Sequence, residues 1–227
     1  MIVYLATRNA GKVREMEELL AGSGITPALE ETYASPLEGD ASYADNAALK
    51  ARALWAQLRR DGRPGHVLAD DSGLEVAALG GRPGVTTADY GGSGLGWAER
   101  RRLLLADVEA SGARTAAERR ARFVCALHFI GEGGRELATM ASVDGVVPPE
   151  ERGALGFSFD PVFLYEPAGL TFAEMPAGAK NAVSHRAVAV AGLLAMLRVA
   201  RTDVASVDVR AAAAERADPS AVRTDEQ

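Results

Sequence analysis

The sequence predicts an α/β domain built on a mixed sheet, and three observations carry that prediction. Ile2-Val3-Tyr4-Leu5-Ala6 is a strand-like run that breaks at Thr7–Lys12 and resumes with apolar groups at Val13, Met16, Leu19 and Leu20, the spacing of one helical face. A second helix-to-strand alternation follows, and then two strand-like runs enclose a glycine-rich turn.

The elements follow in order. Ala41 to Arg60 is rich in Ala and Leu and stops near Gly62 and Pro64, which predicts a helix. Ser42 suits its N-cap, with Asp45 three residues on. Val67-Leu68-Ala69 reads as a short buried strand running into acidic residues. Gly80 to Gly96 is dense in Gly and Pro and predicts a structured loop. Trp97 to Val108 returns to a helical pattern. Arg122–Ile130 and Arg135–Val147 read as strands of a hairpin joined by Gly131-Glu132-Gly133-Gly134. Gly153 to Tyr165 mixes Gly with aromatics, and Ser184 to Arg201 predicts a last helix. The expected folded unit is 1–201, and 202–227, with few large apolar groups, is expected to be a disordered tail.

The chain has 227 residues, a net charge of -6 and one cysteine. The acidic balance argues against nonspecific duplex DNA binding, which needs a basic face, but allows a small anionic ligand held by a few local cations. Cys125 lies in an apolar run, excludes an intramolecular disulfide and reads as a small buried hydrophobe. The opening apolar segment is too short for a secretory leader, and no apolar run approaches membrane-spanning length, so a cytoplasmic location is expected.

Four stretches hold candidate chemistry. A helix N-terminus after a strand presents unpaired N–H groups and partial positive charge to an anion, and Thr7, Asn9, Gly11 and Lys12 sit at such a corner. The alternative is a plain turn in which Asn9 caps the helix and Lys12 is solvated. Asp70-Asp71-Ser72-Gly73 offers two carboxylates after a strand. If the strand continued through them they would face opposite ways, so one is expected to be functional and could hold Mg²⁺, whereas a capping turn explains both without a ligand. Glu38 lies outside its helix and is a candidate second carboxylate for a metal, while Lys50 either reaches the same cleft or, as is more often the case, is solvated. Finally, Phe157-Ser158-Phe159-Asp160 could wall a flat base, although aromatics in such a run more often simply fill the core, and Lys180, His185 and Arg186 gather cations near the last helix. His185 is expected to hydrogen-bond rather than act as a base. His66 and His128 show no zinc-like spacing.

Thr7-x-Asn9-x-x-Lys12, Asn46-Ala-Ala-Leu-Lys50-Ala, Leu68-Ala-Asp-Asp-Ser-Gly-Leu-Glu-Val76, Gly81-Arg-Pro-Gly-Val85, Gly156-Phe-Ser-Phe-Asp-Pro161 and Lys180-Asn-Ala-Val-Ser-His-Arg-Ala187, in that order, resemble the inosine/xanthosine triphosphate pyrophosphatase family. The resemblance implies an elongated α/β fold with a long mixed sheet, flanking helices and two lobes around a substrate cleft. It also implies a homodimer and Mg²⁺-dependent cleavage of ITP, dITP or XTP to monophosphate and pyrophosphate. By position, Thr7, Arg8, Asn9, Ala10, Gly11 and Lys12 would hold the triphosphate. Asp71 would be the metal-linked acid or base beside Ser72, with Glu38 assisting the metal. Phe157, Ser158, Phe159, Asp160, Lys180, His185 and Arg186 would read the base. Ser158 and Phe159 stand where the family usually has Gly and Tyr, and Asp89 where it usually has Arg, which leaves a pyrophosphatase retuned to another nucleotide, or a binding sensor without turnover, as alternatives.

Overall fold

A computed structural model describes residues 1–199, so the expected tail lies outside the described residues. The elements are β1 (Ile2–Leu5), α1 (Ala10–Leu20), β2 (Thr26–Leu29), α2 (Tyr43–Arg60), β3 (His66–Val76), α3 (Trp97–Ala110), β4 (Arg120–Ile130), β5 (Glu136–Val146), β6 (Leu164–Tyr165), β7 (Leu170–Thr171) and α4 (Ala177–Val183). A final helix, α5 (His185–Val199), leaves α4 at a bend of 62°. Among the described residues no single helix is long and apolar enough to cross a membrane.

Seven strands form one sheet in the order β2-β1-β3-β4-β5-β6-β7. β1 runs parallel to β2 and β3, and every other pairing is antiparallel, which makes the sheet mixed as expected. The predicted three-residue strand at Val67–Ala69 is an eleven-residue strand. Its polar Asp-Asp-Ser-Gly portion stays extended because β4 pairs with it from Val67 to Val76. β2, with a proline and four residues, carries little strand signal of its own and is held by its register on β1.

One feature of the register sets up everything else. β1 pairs with β3 only from His66 to Leu68. From Ala69 on, among the described residues, that edge of β3 has no strand beside it, only a bridge of Glu75 to Pro83, and the chain leaving β1 turns there into α1. The corner at Thr7–Lys12 therefore sits against the acidic residues of β3.

Alternation along β3 sorts its side chains between two layers. On one face, Leu68 joins Cys125, Leu127 and Phe129 of β4 in a core with Val3, Leu5, Met16 and Leu20, closed by Ala189, Val190 and Leu193 of α5. On the other face, α2 lays Ala51, Leu54 and Leu58 on Val67 and Ala69, and Ala47 on Val124 and Ala126. A third core, around Leu74, Leu104, Phe123, Phe163 and Phe172, joins α3 to the far ends of β3 and β4. The cleft opens between the β1–α1 corner and this third core.

Candidate active site

Asn9 is the N-cap of α1, its Oδ1 accepting from Gly11 N at 2.9 Å and Lys12 N at 3.2 Å, while Thr7 Oγ1 accepts from Asn9 N at 3.1 Å. The amides of Gly11 and Lys12 are thus spent on the cap, a correction to the expectation that they face an anion. Arg8 donates from Nε to Tyr33 O at 2.7 Å and from Nη2 to Glu31 O at 2.8 Å, tying the corner to the segment after β2. What the corner presents is Lys12, whose ammonium pairs with the Asp70 carboxylate.

Asp70 and Asp71 do face opposite ways. Asp70 lies under α1 and α5, fully enclosed, with Arg186 Nε at 2.8 Å, Ser72 Oγ at 3.0 Å and Cys125 Sγ at 3.1 Å. Burial opposes its ionisation, yet Arg186 and Lys12 hold its carboxyl well below the ordinary range. Cys125 is buried, as expected, and burial together with Asp70 pushes its thiol far up.

Asp71 faces α2. Lys50 Nζ donates to its Oδ1 at 2.7 Å and to Glu38 Oε2 at 3.1 Å, and Asn46 Nδ2 approaches its Oδ2 at 3.4 Å. Asn46 also grips Gly39 N and O, both at 2.9 Å, which anchors the segment that delivers Glu38. The expected solvated Lys50 is instead 5 % exposed. It shares the buried stripe of α2 with Tyr43, Asn46, Ala47 and Leu54, and that 3.6-residue periodicity was the available signal. Burial, offset in part by Lys50, raises the Asp71 carboxyl to about 6. Burial acts the same way on Glu38, but there Lys50 prevails and lowers it.

The break between α4 and α5 at Ser184 places the basic residues of the last motif. Ser184 Oγ accepts from Ala187 N at 3.2 Å and starts α5, so His185 and Arg186 fall in its first turn while Lys180 stays on α4. Lys180 Nζ sits 2.5 Å from Glu15 Oε1 and 2.6 Å from Asp160 Oδ2. Arg186 pairs with Glu15 and Asp70, and donates to Ser72 Oγ at 2.9 Å. Lys12, Asp70, Arg186, Glu15, Lys180 and Asp160 therefore alternate in sign through one buried chain. The His185 ring stacks on Phe123, centroids 4.7 Å apart and planes at 11°. Burial and the adjacent Arg186 keep the imidazole neutral, its pKa far below the usual value, and its Nδ1 is buried with no hydrogen-bond partner among the described residues.

These groups line a cleft of about 280 Å³. Thr7, Arg8, Asn9, Lys12, Glu38, Lys50 and Asp71 lie towards one end, Phe157, Ser158, Asp160, Lys180, His185 and Arg186 towards the other, and Ser72, bonded to Arg186, lies between them. Thr87, Trp97 and Phe123 also line it and were not among the site residues expected from the sequence. Gly73 lets that wall close up, since a Cβ there would stand 2.9 Å from the Tyr43 ring and closer still to Gly84 and Thr87. Ala10 and Gly11 do not line the cleft. Neither does Phe159, which is fully buried and meets Trp97 edge to face at 5.6 Å. Ser158 has a left-handed backbone, φ 58°, and that reversal ends the alternation that would have aimed Phe157 and Phe159 the same way.

Comparison with known proteins places this geometry. A model of the Ham1 family matches residues 3–196. A "dITP/XTP pyrophosphatase" of Thermus thermophilus is 44% identical over 196 residues, 86% of this chain and 90% of its own. One of the same name from Geobacillus kaustophilus is 40% identical over 194 residues, 84% and 91% of the two chains. Among solved structures, a HAM1 protein from Coxiella burnetii superposes with a TM-score of 0.74 at 32% identity, covering 87% of this chain and 98% of that one. A nucleoside-triphosphatase / dITP/XTP pyrophosphatase from Mycobacterium abscessus gives 0.64 at 33%, covering 86% and 99%. By sequence along nearly the whole described chain and by fold, this protein belongs to the Ham1 family.

Proposed function

We propose that the protein hydrolyses non-standard purine nucleoside triphosphates, ITP, dITP and XTP, to the monophosphate and pyrophosphate. The observation that carries this is the cleft itself: a carboxylate pair with a lysine at one end, a stacked, neutral imidazole among buried cations at the other, in a chain akin to proteins named dITP/XTP pyrophosphatase.

The donor set suits Mg²⁺. Asp71 and Glu38 bring two carboxylates together, with Lys50 bonded to both. Mg²⁺ takes oxygen ligands and is commonly held by one or two carboxylates plus substrate phosphates and water. Among the described residues no group of three or more His, Cys, Asp or Glu could hold a metal alone, so phosphate oxygens and water would complete its shell. When bound, the ion would neutralise charge on the phosphate chain.

Lys12, at the mouth of the corner with its side chain 15% exposed, would add positive charge to the same chain. Water attacks the α-phosphorus, the bond to the bridging oxygen breaks, pyrophosphate leaves, and Asp71 in its ionised form accepts the proton from water. At the other end, donors from Arg186 and His185 would satisfy a 6-oxo purine. Adenine would set its 6-amino donor against them and leave buried polar groups unpaired.

The same reading includes a cytoplasmic enzyme working as a homodimer, for which light scattering is the check. The deciding experiment assays ITP, XTP, dITP, ATP and GTP for pyrophosphate release with Mg²⁺ and after chelation, beside Asp71→Asn. Preferential, chelator-sensitive turnover of ITP, dITP and XTP over ATP, lost in Asp71→Asn, is expected. ATP cleaved as well as ITP would defeat the assignment.

A further inference from the structure

Gly11 has no evident use in the cleft. Its N–H is committed to Asn9, its backbone is helical, and it does not line the cleft. Glycine is a poor helix former beside alanine, so its place in the first turn of α1 calls for a reason. The reason lies 146 positions along the chain. A Cβ on Gly11 would stand 2.6 Å from Phe157 Cγ, 2.7 Å from Cδ1 and 2.9 Å from Cδ2, well inside the roughly 3.5–4.0 Å of carbon–carbon contact.

Phe157 sits where two cavities meet. It lines the cleft and also a second cavity of about 230 Å³ beyond it, which Gly11, Arg14, Glu15 and Met175 share. Lys180 Nζ lies 5.0 Å and Arg186 Cζ 5.8 Å from the ring centroid. Its N–H donates to Asp160 Oδ2 at 2.7 Å, and it is flanked by left-handed Gly156 and Ser158. The loop fixes the backbone of Phe157, and the bare first turn of α1 receives its ring.

We propose that Gly11 is a positioning residue for base recognition: by lacking a side chain it seats the Phe157 ring on α1, where the ring divides the cleft from the second cavity beside Lys180 and Arg186. The corner that carries Lys12 and the wall that meets the base then keep one fixed separation. This rests on the assignment of the cleft to a purine triphosphate.

The test is a double-mutant cycle of Gly11→Ala and Phe157→Ala, read by melting temperature and by the ratio of kcat/KM for ITP over ATP. With Phe157 present, Gly11→Ala is expected to lower the melting temperature and to cut the ratio by about fivefold or more, mainly through KM for ITP. In the Phe157→Ala background the same substitution is expected to raise the melting temperature, as alanine's helix preference is freed, and to change the ratio by less than about twofold. Equal effects in the two backgrounds would overturn the proposal. A wild-type enzyme with no preference for ITP would remove the recognition role together with the functional assignment, while the melting cycle would still decide whether Gly11 seats the ring.

Discussion

Lys50 Nζ lies 2.7 Å from Asp71 Oδ1, in the buried space between α2 and β3, and the same ammonium reaches Glu38 at 3.1 Å. Two carboxylates held by one cation leave a surplus negative charge that a divalent ion would balance.

That relationship fixes an acid limb. Asp71 accepts a proton only when ionised, and burial has raised its carboxyl to about 6, with Lys50 restraining the rise. The kcat/KM for ITP is therefore expected to fall by up to about tenfold per pH unit on an acid limb, which bound Mg²⁺, by favouring the Asp71 carboxylate, would carry below 6. Lys50→Met removes the restraint, so the limb should move to higher pH by about one unit, and activity lost at neutral pH should be partly recovered in more alkaline buffer. A pH profile for the variant that scales down without shifting would show that Lys50 does not tune Asp71.

The neighbouring carboxylate has a different consequence. Asp70 is shared by Lys12 and Arg186, and Arg186 is 1 % exposed. Asp70→Asn keeps the shape and leaves a buried guanidinium with only Glu15 for charge. Breaking one partner of a buried pair costs about 3 kcal/mol, or roughly 6 to 12 °C in melting temperature for a chain of this size. A drop under about 2 °C would mean that Glu15 alone satisfies Arg186.

The sequence made the cap at Asn9, the cap at Ser42 and the β4–β5 turn legible because each depends on chemistry within three or four residues. It did not make β2 legible, nor the second half of β3, because those backbones are held by strands far away in the chain. The cleft divides the same way. Lys12, Asp71, His185 and Arg186 belong to motifs and stand in it. Thr87, Trp97 and Phe123 arrive from separate elements through tertiary packing. Phe159, expected at the base by its place in the motif, is core instead, because the left-handed backbone of Ser158 turns it away from Phe157.

Ser158 itself offers a test of that reversal. A left-handed backbone strains any side chain with a Cβ, and Arg101 Nη1 holds the Ser158 carbonyl at 3.0 Å in this conformation. Ser158→Gly relieves the strain and restores the residue usual in the resembled family. Allowing for the extra freedom glycine gains when unfolded, stability should rise by up to about 1 kcal/mol, and the melting temperature by about 2 °C. A lower melting temperature would indicate that the Ser158 side chain contributes a contact worth more than the strain.

Lys12 and Arg186 share Asp70, but under the proposed function they would face different parts of a bound nucleotide, so their loss should be felt differently. Lys12 is the more exposed of the two, at the corner, where every triphosphate carries the same groups. Lys12→Ala should raise KM for ITP and ATP alike and leave their ratio of kcat/KM within about twofold. Arg186 is anchored on three sides by Asp70, Glu15 and Ser72, which fixes the direction of its remaining donors. Arg186→Ala should therefore lower the ITP-to-ATP ratio by about tenfold or more, since a fixed donor discriminates between an oxo and an amino group where a mobile one does not. It should also destabilise the fold, because Asp70 and Glu15 lose their shared cation, so the ratio has to be measured well below the variant's melting temperature. If the ratio survives in Arg186→Ala and collapses in Lys12→Ala, base reading and phosphate holding are exchanged between the two ends of the cleft.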